Sequence, residues 1–161
     1  MKITNKYILL VLFVFASSIT AFAQTAKYKC MLQMTNYQGL EAYVVVSLID
    51  PKGNYEETLY MMGPDKQWYN GFKEWDKFNK KKKEKLNGIT GASIAAGNRS
   101  LTTFNLDESK LDKGYKLRFE SAVEDKDYFV TDVEIPLTTA GITQKTDGNG
   151  YIRYVKLTKA N

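Results

Sequence analysis

Tyr115-Lys116-Leu117-Arg118-Phe119-Glu120-Ser121-Ala122-Val123 alternates apolar and charged side chains over nine residues, and Lys113-Gly114 just before it is a turn. Successive side chains on a strand point to opposite faces, so this stretch predicts a strand with Tyr115, Leu117, Phe119, Ser121 and Val123 on a dry face. Lys116, Arg118 and Glu120 fall on the face expected to be wet. The same signal recurs along the chain. Tyr28, Cys30, Leu32 and Met34 share one side of an earlier strand, and Tyr43 to Ile49 is almost continuously apolar, as in a strand buried on both faces. Asp50-Pro51-Lys52-Gly53-Asn54 is a turn in which proline presets φ and glycine supplies a positive one, so Tyr55 to Met62 returns as a hairpin partner. Ser100 to Leu106, Tyr128 to Leu137 and Tyr151 to Leu157 complete a set of seven, and Asp147-Gly148-Asn149-Gly150 turns into the last of them.

One stretch departs from this period. Trp68, Phe72, Trp75 and Phe78 recur at helical spacing, with Lys73, Glu74, Asp76 and Lys77 on the other side, which predicts an amphipathic helix ending in Lys80-Lys81-Lys82-Lys83. Cations at that end oppose the negative pole of the helix dipole. The fold expected is mainly β: an immunoglobulin-like antiparallel β-sandwich of about seven strands with one inserted helix. Trp68, Trp75, Lys81 and Lys82 are the candidate partner-binding residues on the insertion.

The first 23 residues read differently. Lys2 and Lys6 precede the apolar run Ile8 to Phe15, and Ala21-Phe22-Ala23 has the small-x-small pattern of a cleavage site. Met1 to Ala23 is therefore expected to be a cleavable signal peptide, its apolar core being too short to span a bilayer. Export to the periplasm or beyond follows. Cleavage before Gln24 would leave residues 24–161 as one β-sandwich domain, without a transmembrane segment and with its formal charge lowered from +5 by the loss of two lysines. Cys30, the single cysteine, lies on a predicted dry face and cannot form an internal disulfide, so it reads as a small buried hydrophobe.

The chain contains no histidine. Ser-His-Asp and Cys-His nucleophile pairs, histidine-ligated zinc and histidine-ligated haem are thereby excluded. Asp107 with Glu108, Asp112, and Glu124 with Asp125 and Asp127 are acidic groups beside turns, where solvated charge is the expected role. Neither a catalytic constellation nor a metal site is expected. Nucleic acid is not an expected partner, because the lysine run is the one basic patch.

The order Tyr43-Val44-Val45-Val46-Ser47-Leu48-Ile49-Asp50, Gly53, Thr58-Leu59, a tryptophan helix, Gly88-Ile89-Thr90-Gly91-Ala92-Ser93, then Lys113 to Ala122 resembles a family of uncharacterised bacterial periplasmic proteins. Members of that family are similar to the immunoglobulin-like domain of flagellar hook-capping proteins and occur beside membrane proteins of flavin-linked electron transfer. The resemblance implies a noncatalytic accessory or binding protein, with a protein partner at the envelope that could be a membrane redox protein, and with no cofactor of its own. Asn87 to Ser93 also resembles the loop on which a flavin transferase esterifies FMN phosphate to a hydroxyl, with Asn87 standing where that motif has an acid. By this second resemblance Ser93 would be the attachment point and Thr90 and Gly91 would shape the turn, making the chain a covalent FMN carrier. An envelope-binding or adhesion domain is the third reading, from the sandwich, the tyrosines and the lysine-rich helix end.

Overall fold

Thr25–Met34 (β1) buries every second side chain from Tyr28 on, Tyr28, Cys30, Leu32 and Met34, while Lys27 and Lys29 on the other face stay in water. The computed structural model describes residues 24–160; the expected signal peptide, Met1 to Ala23, lies outside the described residues. β1 runs antiparallel to both Arg99–Asp107 (β5) and Ile152–Lys159 (β9), and the short Thr146–Asp147 (β8) closes this sheet in the order β5-β1-β9-β8. The second sheet is built on Tyr43–Ile49 (β2). It pairs antiparallel with Tyr55–Met62 (β3) across the Asp50–Asn54 turn and with Lys116–Ala122 (β6), which forms a hairpin with Tyr128–Pro136 (β7). Thr90–Gly91 (β4) joins the β3 edge in parallel, giving β4-β3-β2-β6-β7.

The two sheets enclose one apolar core, in which Cys30, Leu32 and Leu157 from one side meet Val44, Val46, Leu117, Phe119 and Ile135 from the other. The chain is a mainly β sandwich, and the seven long strands are those the alternating and continuous apolar runs predict. Its connectivity is immunoglobulin-like in a specific sense. β3-β2-β6-β7 follows the C′-C-F-G order of a variable-type sheet, and β1-β5 occupies the B and E positions. β9 lies on β1 where an immunoglobulin domain places its first strand, so the C-terminus fills the A position.

β2 is buried on both faces because a second layer covers the sheet from outside. There Val45 and Met61 pack with Tyr69, Phe72, Trp75 and Leu86 beneath the helix Lys73–Lys82 (α1). Trp75 is wholly buried, and its indole Nε1–H donates to Thr58 Oγ1 at 2.9 Å, which in turn donates to Glu84 Oε2 at 2.5 Å. Glu84 also accepts from the Thr58 backbone N–H, satisfying a donor on the β3 edge that β4 is too short to reach.

The helix is shorter than its apolar spacing predicts. Lys66–Gly71 forms a 3-10 turn capped by the Asp65 carboxylate on Gln67 N, and the α-helix starts only after Phe72. Asn70-Gly71 is a weak helix former, and the break turns Trp68 away from the face that buries Phe72 and Trp75. The lysine run ends α1 as expected, with Lys83 in the left-handed conformation at the C-cap. The expectation for β6 also needs correction, because Glu120 on the face assigned to water is completely buried under the helical layer.

Candidate functional site

Three segments distant in sequence meet at one end of the sandwich. The β1–β2 connection brings Leu40 and Glu41, the 3-10 turn brings Trp68, and the β6–β7 hairpin brings Glu124 to Tyr128; with Tyr43 and Phe72 they bound a half-open cleft of about 740 Å³. In immunoglobulin terms these are the B–C, post-C′ and F–G segments, the end at which variable domains carry their recognition loops. The correspondence is one of architecture, not of ligand.

Local chemistry explains each wall. Gly63, with φ of +134°, leaves β3 without a side chain, and a Cβ there would stand 2.2 Å from the Tyr43 ring that it lets through. Phe72 meets Tyr128 edge to face with centroids 5.7 Å apart, which fixes the inner wall. Leu40 and Trp68 remain 62% and 41% exposed, although apolar side chains of this size usually find cover.

Behind Tyr128 lies a buried polar group. The Tyr128 hydroxyl donates to Glu120 Oε2 and accepts from the Glu74 backbone N–H at 3.3 Å. Glu120 Oε1 and the Tyr55 hydroxyl form no hydrogen bond of regular geometry among the described residues, but the two groups are neighbours and act on each other. Loss of water pushes the Glu120 carboxyl up to about 7, against the pull of the Tyr128 and Tyr55 hydroxyls and of the Arg118 charge. Burial and the adjoining carboxylate push the Tyr128 hydroxyl far above its ordinary range. Arg118 is itself held by Glu134 at 2.8 Å and lies 5.4 Å from the Tyr55 ring.

The residues singled out from sequence do not form one site. Trp68 stands in the cleft, but Trp75 is core and cannot touch a partner, a correction that follows from the layer it packs against. Lys81 is exposed toward the other end of α1, where Lys82 reaches the Glu56 carbonyl and covers the Phe78 ring at 5.4 Å. Thr90 and Gly91 belong to β4 rather than to a free turn. Thr90 Oγ1 donates to the Leu86 carbonyl at 2.8 Å, and a Cβ on Gly91 would lie 2.2 Å from the Tyr60 hydroxyl. Ser93 is half-buried between β4 and the Ala42–Ile94 bridge, and its hydroxyl donates to Glu41, which lines the cleft. The loop therefore adjoins the cleft through one side chain. Glu120 and Tyr128 were hidden from sequence reasoning, since alternation along β6 says nothing about a cover supplied by a helix more than thirty-five residues earlier.

Among the described residues no cluster of three or more His, Cys, Asp or Glu is placed to hold a metal ion, and no helix is long and apolar enough to cross a membrane. The chain has no match among curated proteins or solved structures. Residues 25–154, nearly all of the sandwich, match the family described as "Predicted periplasmic protein (DUF2271)", and the chain belongs to this periplasmic family.

Proposed function

We propose that this chain is a noncatalytic accessory protein of the periplasm that binds a protein partner through the cleft at the loop end of its sandwich. One observation carries the reading: of the three large apolar side chains left exposed among the described residues, Leu40, Trp68 and Leu101, two line this cleft. Exposed apolar surface gathered in a concave, polar-rimmed site is the usual mark of a binding surface. The resemblance to proteins found beside flavin-linked membrane electron-transfer proteins makes such a redox protein the partner class to try first. A photo-crosslinking residue at position 68 should give a discrete adduct in intact cells. The same residue at Leu101, 75% exposed on β5, should not. Equal adducts from both positions would count against the cleft.

A covalent FMN carrier is the second reading, favoured by the position of Ser93 beside a cleft lined with Tyr43, Trp68 and Tyr128, on whose rings an isoalloxazine could stack. Coexpression with a flavin transferase and intact mass measurement test it. An FMN adduct lost in Ser93→Ala supports it, and an unmodified mass removes it.

A further inference from the structure

Carboxylates in this chain nearly all have structural work. Asp50, Asp65, Asp107 and Asp112 accept backbone N–H groups at turns and caps, and Glu56, Asp76, Glu108 and Glu134 sit in ion pairs. Glu124, Asp125 and Asp127 do neither among the described residues, and all three lie on the β6–β7 hairpin at the rim of the cleft. Glu57, exposed on β3, is the other carboxylate without a partner there. With Glu41, four carboxylates face the cleft against two ammonium groups, Lys73 and Lys126, and none of the six is in an ion pair among the described residues. The sign is opposite to that of the whole chain, which carries a formal charge of +5. Aromatic faces, Trp68 and Tyr128, stand among these charges, and the fully buried Glu120 lies behind Tyr128 without lining the cleft.

We infer that the cleft takes a basic, amphipathic segment of the partner, with a lysine or arginine side chain among the hairpin carboxylates and the Trp68 and Tyr128 rings, and an apolar neighbour against Leu40. This rests on the cleft being the binding site. Organic cations are attracted by aromatic faces as well as by carboxylates, so the two wall chemistries select the same ligand. Anionic groups such as phosphates meet a repulsive rim. Exposed ion pairs are individually weak, and selection comes from several acting together and from steering at a distance.

The test is a titration of the purified chain with a short peptide of alternating lysine and leucine and with its glutamate–leucine counterpart, followed by tryptophan emission, to which the exposed Trp68 responds. The lysine peptide should bind saturably, the glutamate peptide should not, and Glu124→Gln/Asp125→Asn/Asp127→Asn should weaken the lysine peptide about tenfold or more. Asparagine tolerates the positive φ of 55° at position 125, so the variant should melt as the parent does. Equal binding of both peptides, or an unchanged affinity in the triple variant, would overturn the inference. So would failure of the lysine peptide to bind, but with crosslinks at position 68 intact the cleft would stand with a different ligand chemistry.

Discussion

Glu120 shows what a single residue does when a second layer covers its strand. Its carboxyl is held up to about 7 by burial, whereas an unfolded chain would ionise it near 4.5. A group with a raised native pKa favours the folded state below the unfolded value and loses that contribution as pH rises toward the native one. The protein should therefore lose stability between about pH 4.5 and 7, by up to about 3 kcal/mol if no other group intervenes, and Glu120→Gln should flatten that part of the profile. Urea unfolding across this range measures it, and a wild-type profile already flat there would contradict the assignment. Cys30 makes the complementary case, fully buried with its thiol pushed up to about 12. It should ignore a disulfide reagent in the native protein and react on unfolding. The two residues also mark the reach of sequence reading. Cys30 was legible because its own strand neighbours place it inward. Glu120 was not, because its environment is made by residues on another element.

At the scale of elements, the segment from Trp68 to Phe78 separates what periodicity can and cannot show. Apolar residues at helical spacing announced an amphipathic helix correctly, but not that it covers the sheet, and the break at Asn70-Gly71 divides their roles. Trp75→Ala should cost about 3–5 kcal/mol by emptying the outer cluster, while Trp68→Ala should stay within about 0.5 kcal/mol. Similar losses from the two would show that the helical layer packs otherwise. Asp132, on β7, joins distant elements in another way. Its buried carboxylate accepts from Ser121 Oγ at 2.5 Å and from the backbone N–H groups of Asn149, Gly150 and Ile152 at 2.9, 2.7 and 2.9 Å, pinning the turn before β9 to the second sheet. Asp132→Ala would strand those donors and should cost at least about 3 kcal/mol in chemical denaturation. A mild effect would mean that the turn finds other partners.

Viewed whole, the molecule divides its duties between its two ends. The lysines that close α1 interact with Glu56, Asp76 and the Phe78 ring, whereas the opposite end concentrates exposed apolar side chains and carboxylates without structural tasks. The seven long strands were legible because the apolar pattern, alternating in most and continuous in β2, is a property of each strand alone. The cleft was not, since it exists only where the chain brings residues near 40, 70 and 125 together. Fold topology supplies that meeting: the β1–β2, post-β3 and β6–β7 segments all leave the sandwich at one end. The most direct measurement is backbone hydrogen exchange on the protein bound to isolated cell envelopes and on the protein free. Binding through the cleft predicts added protection confined to residues 40–43, 68–73 and 122–128, whereas protection centred on β5 and β9, with those three segments unchanged, would contradict it.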